Sequence, residues 1–117
     1  MDLTPELAEL IARRFGVLSD PTRLRLLNLM HAGENEEASV TALVEATGGS
    51  QANVSKHLAV LLRERMVSRR RDGSRAFYRI ADPTLITLCD EVCTSVREQL
   101  RELSSLVDDA VEASARP

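Results

Sequence analysis

Residues 41–65 read TALVEATGGSQANVSKHLAVLLRER. Two stretches of helical character are joined there by only Gly48, Gly49 and Ser50. A joint that short makes the second helix turn sharply off the first, which is the geometry of a helix-turn-helix. In the second stretch Val54, Leu58, Leu61 and Leu62 recur at helical spacing and define a buried face. Turning them inward leaves Gln51, Ala52, Ser55 and Lys56 outward, with Asn53 and His57 on the flanks. The hydrophobic period then changes to two. VSRRR and RAFYRI flank DGS, and Asp-Gly is a strong hairpin turn signal. A hairpin over 67–80 directly after a helix-turn-helix over 41–65 makes a wing.

The rest of the chain supplies helices. Thr4 is placed to cap a helix with Pro5 at its first position, and Leu7, Leu10, Ile11, Val17 and Leu18 give a rough apolar stripe. Asp20 and Pro21 repeat that start signal, Leu24, Leu27 and Leu29 or Met30 are expected inward, and Gly33 closes the helix. ENEEAS reads as an acidic loop, Val40 as a very short strand, and Thr41 as the cap of a short helix. Asp82-Pro83 is expected to cap a long last helix reaching about residue 112, with EASARP fraying.

With 117 residues, the chain fits one domain over 1–117 with one modest core. Aromatic residues make up only 3%, so that core must come from Leu, Val, Ile and Ala, a composition that favours helices. No run of apolar residues is long enough to span a membrane, and the acidic N-terminus has no signal pattern, so a cytoplasmic protein is expected.

The net charge of −3 hides an asymmetry. Residues 51–79 hold eight cations (Lys56, Arg63, Arg65, Arg69, Arg70, Arg71, Arg75 and Arg79) against Glu64 and Asp72, which is +6 and leaves −9 for the remainder. A basic third in an acidic protein is the footprint of a local polyanion site, whereas a merely solvated face usually mixes both signs. The first turns of the second helix of a helix-turn-helix reach base edges in the major groove. Gln51 and Asn53 can pair with adenine, Ser55 can bond either way, and Lys56 can reach guanine; with Ala52 and His57 these are the residues expected to face DNA from the recognition helix. Arg70, Arg71 and Arg75 ring the wing tip, where they can meet the backbone or minor groove of double-stranded DNA. His57 on a helix flank is more simply a hydrogen-bonding surface residue than a metal ligand. His31 near a helix end is more simply a favourable C-terminal cation when protonated.

LSDPTRLRLLNLM, SQANVSKHLAVLLRERMV and RRDGSRAFYRIAD resemble the ArsR/SmtB family of winged-helix repressors, over roughly residues 10–98 and in the family's order. The resemblance implies a mainly α fold: a winged helix-turn-helix with a two-stranded hairpin wing and a long terminal dimerisation helix. It implies a homodimer built by the helices at 4–18 and 83–112, a palindromic operator, and release of DNA on sensing a metal, metalloid or oxidant. The family's Cys-x-Cys site before the recognition helix has no counterpart in SVTALVEAT. Its zinc-type pattern falls on Asp82, Thr84, Ser95 and Glu98, which keeps both carboxylates and lacks both imidazoles, a poor set for a closed zinc site.

The only two cysteines are Cys89 and Cys93. At i and i+4 on one helix face, their Cβ atoms stand about 5–6 Å apart. That is wide for a disulfide, which wants about 3.5–4.5 Å, but two side chains can converge on one soft metal or metalloid ion. They also belong to a seam, Ile86, Cys89, Cys93, Val96, Leu100, Leu103, Val107 and Ala110, spaced 3, 4, 3, 4, 3, 4, 3. With Leu7, Leu10 and Ile11, that seam is the expected dimer interface. Three roles stay open for the pair: packing, soft-ion sensing and thiol oxidation.

The expected function is a sequence-specific DNA-binding repressor, derepressed by a soft metal, metalloid or thiol-reactive signal at Cys89 and Cys93. The alternatives are a winged-helix regulator whose cysteines only pack, and a winged-helix module for protein contacts. No cofactor is required beyond a thiolate-bound soft ion. An enzyme is not expected, because the chain has no nucleophile-elbow, P-loop or other glycine-rich phosphate motif.

Overall fold

The computed structural model describes residues 1–115. The elements are α1 (Pro5–Leu18), α2 (Pro21–Ala32), a 3-10 turn (Glu34–Glu36), β1 (Glu37–Ser39), α3 (Val40–Thr47), α4 (Gln51–Arg63), β2 (Val67–Asp72), β3 (Arg75–Ile80) and α5 (Thr84–Ala115). The chain divides into two compact units, Met1–Pro83 and Thr84–Pro117. Of the expected frayed tail, the residues through Ala115 are helical, and Arg116 and Pro117 lie outside the described residues.

The helix starts follow their caps. Thr4 Oγ1 accepts from Leu7 N at 3.2 Å and Asp20 Oδ1 accepts from Arg23 N at 3.0 Å, each with proline opening the helix behind it. In the first unit α2 is the central strut and packs on α1, α3, α4, β1 and β3. Its buried residues are Leu26, Leu27 and Met30, while Leu24 stays exposed. With neighbours on several sides, α2 has no single inward stripe, so an even hydrophobic period points to the wrong leucine. The largest fully buried side chains are Leu26 and Met30 of α2, Leu43 of α3, Val54, Leu58 and Leu61 of α4, and Met66 just before β2.

The acidic loop differs from expectation. Asn35 and Glu36 take left-handed backbone, with φ of 57° and 56°, and turn the chain into β1. β1 then pairs antiparallel with β3, so the wing is one side of a three-stranded sheet in the order β1-β3-β2, not an isolated two-stranded hairpin. The pairing satisfies the outer edge of β3, which would otherwise present unpaired N–H and C=O groups. Three residues are too few to show a period of two. Because the strand ends at Ser39, Val40 begins α3 instead of forming a strand, and Ser39, not Thr41, is the cap, its Oγ accepting from Ala42 N at 3.1 Å. Gly33 sits where α2 meets β1: a Cβ there would stand 2.2 Å from the Glu37 carbonyl oxygen, so only glycine fits.

The far end of α4 is tied to α1. Arg13 forks onto Glu64, Nη2 to Oε1 at 2.7 Å and Nε to Oε2 at 3.2 Å, and this hydrogen-bonded guanidinium holds the Glu64 carboxyl below its ordinary pKa. Arg14 Nη1 pairs with Asp82 at 2.7 Å, just before α5 begins at Thr84. A lowered folded-state pKa means that Glu64 contributes stability that is fully present above the ordinary glutamate value of about 4.3. That contribution is lost as pH falls through the lowered value. Glu64→Gln is therefore expected to flatten the acid limb of a thermal-stability profile between pH 5 and 3 relative to wild type. An unchanged acid limb would show that the pair is not maintained in solution.

Candidate nucleic-acid interface

The joint between α3 and α4 is closed by backbone chemistry. Gly48 takes left-handed φ (67°) as the C-cap of α3, and its N–H donates to Val44 O at 3.0 Å. Ser50 caps α4, its Oγ accepting from Asn53 N at 3.1 Å. Val54, Leu58 and Leu61 then anchor α4 in the core, and Leu62 is half-buried. Gln51, Ala52, Asn53, Ser55 and Lys56 are all exposed. Among the described residues, no hydrogen bond or ion pair occupies the side chains of Gln51, Asn53, Ser55 or Lys56. The helix therefore offers donors and acceptors that the fold does not use.

His57 is placed differently. Its side chain is 13% exposed and turned toward the start of α2, with Nδ1 3.2 Å from Arg23 Nη1 and 3.9 Å from Asp20 Oδ1. The Asp20 carboxyl is held below its ordinary pKa, chiefly by the Arg23 backbone N–H.

The wing arginines separate by strand register. Arg70 faces Phe77 and Asp72 faces Arg75, while Arg69 faces Tyr78 and Arg71 faces Ala76. Alternation puts Arg70, Arg75 and Arg79 on one face and Arg69 and Arg71 on the other. On the first face Arg70 donates from Nε to Glu37 Oε2 at 3.0 Å and lies 4.3 Å above the Phe77 ring, with Arg75 at 5.0 Å. This hydrogen bond lowers the Glu37 pKa and raises that of Arg70. Arg79 Nη2 donates to Asn35 O at 3.3 Å. Arg70 is thus neutralised within its own sheet, which its place beside the wing tip did not suggest. The reason lies in β1, which brings Glu37 across β3. Arg69 and Arg71 are exposed and, among the described residues, without an ion-pair partner. Arg69 shares this face with Arg71 through strand alternation, although it lies farther from the wing tip.

In the second unit α5 is one helix of 32 residues. Cys89 is half-buried, and burial pushes its thiol pKa up; Cys93 is exposed. Val96, Leu100, Leu103 and Val107 lie exposed along the same seam, and Ile86 is half-buried. Leu7 and Leu10 of α1 are exposed as well, and Ile11 is half-buried. Among the described residues no three His, Cys, Asp or Glu side chains are grouped to hold a metal ion, and no helix is long and apolar enough to cross a membrane.

Residues 20–69, from the cap of α2 into β2, match the family model for bacterial regulatory proteins of the arsR family. A transcriptional repressor SmtB homolog from Synechocystis is 34% identical over 91 residues, covering 78% of this chain and 67% of that protein. The chain belongs to the ArsR family. This ArsR-family chain is also 44% identical over 77 residues to a probable mercury resistance operon repressor of Streptomyces lividans, spanning 66% of its own length and 59% of that repressor's. Among solved structures, the homodimeric winged helix-turn-helix domain of Mb0332 from Mycobacterium bovis superposes with a TM-score of 0.72 at 32% identity, covering 86% of this chain and 90% of that one. The antimony-specific repressor AntR gives 0.76 at 29% identity, covering 86% and 89%. The fold is thus a mainly helical winged helix-turn-helix, and the relatives of this ArsR-family chain are transcriptional regulators, not enzymes.

Proposed function

We propose that this ArsR-family chain is a sequence-specific DNA-binding repressor. It works as a homodimer on a palindromic duplex and releases it when a soft metal, metalloid or thiol-reactive oxidant engages Cys89 and Cys93. The observation that carries the DNA-binding part is the set Gln51, Ala52, Asn53, Ser55 and Lys56, exposed on the first turns of α4 with no internal use for its polar side chains. Those residues read bases, and Arg71, with Arg75 nearer the tip, meets phosphates from the wing. The exposed seam of α5 and, in the first unit, Leu7, Leu10 and Ile11 of α1 are the apolar surfaces that a second copy covers. Two copies related by a two-fold axis set their recognition helices about 34–36 Å apart along DNA.

The sensing part rests on chemistry. Cys89 and Cys93 share one helix face and one seam, so an ion that draws both thiolates together changes the packing of that seam. A probable mercury resistance operon repressor and an antimony-specific repressor among the similar proteins favour thiophilic ions as the class of inducer. One chain offers two thiolates, so a three-coordinate ion takes its third ligand from the partner copy, a small thiol or solvent.

The test uses a duplex that the wild-type chain itself selects from a random-sequence pool. Cys89→Ser with Cys93→Ser is expected to bind that duplex within about two-fold of wild type, as seam substitutions of similar size should. It is also expected to lose release by Hg(II), As(III), Sb(III), Cd(II) and peroxide. Release that persists in the double variant would leave the cysteines to packing alone. Wild-type affinity that does not fall as salt is raised would remove the DNA-binding reading, because phosphate contacts release counterions.

A further inference from the structure

The contact between α4 and the start of α2 has a chemical direction. A guanidinium has only donors. With Arg23 Nη1 3.2 Å from His57 Nδ1, Nδ1 is therefore the lone-pair nitrogen, and the neutral ring carries its proton on Nε2. Arg23 is itself held in place. Its Nε donates to Val17 O at 2.6 Å, and its backbone N–H donates to Asp20 Oδ1 at 3.0 Å. His57 Nε2 makes no hydrogen bond among the described residues, yet no buried side-chain nitrogen or oxygen lacks a partner. Nε2 therefore reaches solvent, through the 13% of the side chain that is exposed. His57 lies one turn beyond Asn53, off the outward edge formed by Gln51, Ala52, Ser55 and Lys56.

We propose that Arg23 locks His57 in the Nε2–H tautomer, so that the ring donates one neutral hydrogen bond to a DNA phosphate beside the recognition helix. The inference rests on the DNA-binding reading above. His57 is the contacting residue and Arg23 is a positioning residue. A phosphate fits better than a base edge for two reasons. The ring sits on the flank of α4, away from the groove-facing edge. Phosphodiester oxygens only accept, as a fixed N–H only donates, whereas base edges offer both. A neutral donor displaces no condensed cation, so this contact adds affinity without adding to the salt dependence.

Two measurements on the full chain test this. The first is nitrogen NMR of His57 at about pH 8, where an ordinary imidazole is neutral. It is expected to show Nε2–H in wild type and a mixture of tautomers in Arg23→Met; Nδ1–H in wild type would overturn the lock. The second compares duplexes, one selected by wild type from a random pool and one unrelated. His57→Ala is expected to lose about five-fold in affinity on both, with the slope of log affinity against log salt unchanged. His57→Gln, whose amide N–H reaches the place of Nε2–H, is expected to recover most of that loss. It also serves should the alanine variant fold poorly. Unchanged binding in the variants, or loss on the selected duplex alone, would overturn the phosphate contact and leave the DNA-binding reading standing. A salt slope reduced by about one would mean a cationic ring and overturn the tautomer. A wild-type chain that selects no duplex would overturn both readings.

Discussion

Leu103→Glu is expected to convert the proposed homodimer to monomers and to lower affinity for the selected duplex by at least a hundred-fold. Leu103 is 58% exposed on α5, so the change meets no packing within the chain and should leave the fold of a single copy intact. Its seam neighbours Val96, Leu100 and Val107 are similarly open. Burying a leucine or valine contributes about 1.5–3 kcal/mol, and a two-fold interface counts each residue twice. A carboxylate in the middle of that stripe must be desolvated without a partner or keep the two helices apart. The loss on DNA follows from linkage. Two half-site contacts made by one dimer gain about 10²–10⁴ over separate binding. Sedimentation equilibrium and a duplex titration measure both effects. A Leu103→Glu chain that remains dimeric and binds as wild type does would remove α5 from the interface.

Leu58→Ala should strongly destabilise the recognition helix, as a truncation of one of its two fully buried leucines. Leu58 is 1% exposed and anchors α4 between Val54 and Leu61. Truncating a leucine in a close-packed site costs about 2–5 kcal/mol, through lost transfer energy and the cavity left behind. A domain of this size has about 5–15 kcal/mol in total. The midpoint of thermal unfolding should therefore fall by on the order of 10–25 °C. DNA binding should fail at temperatures where wild type still binds, because α4 presents its polar edge only while its inner face is held. A drop of less than about 3 °C would mean that the core is not packed as described.

How far each of these results could be foreseen differs by residue. Leu58 was legible from spacing alone, because α4 has one buried face and one open face and a period of 3.6 reports such an asymmetry directly. Thr4, Asp20, Gly33 and Gly48 were legible for a similar reason: cap and turn chemistry is local and needs no partner far along the chain. Leu24 was misplaced because α2 is surrounded, so its burial depends on neighbours rather than on period. The short strand expected at Val40 was misplaced, because a three-residue strand such as β1 exists only through pairing with β3, about 40 residues on. That misplacement also hid the Glu37–Arg70 pair. Arg70 read as a free cation because nothing in RRRDGSR indicates that a glutamate from ENEEAS will lie across the sheet from it.

The linear order of residues thus determined the helix-turn-helix, the hairpin, the outward edge of α4 and the apolar seam of α5. Each depends on periods and turn residues within about a dozen positions. Tertiary structure alone decided which charges are available. Arg70 meets Glu37, Arg13 meets Glu64, and Arg23 reaches His57 and turns its remaining N–H outward, all across separations of 33, 51 and 34 residues. Ion pairing and side-chain hydrogen bonding are short-range in space and carry no periodic signature along the chain, so they become readable only once the elements are packed.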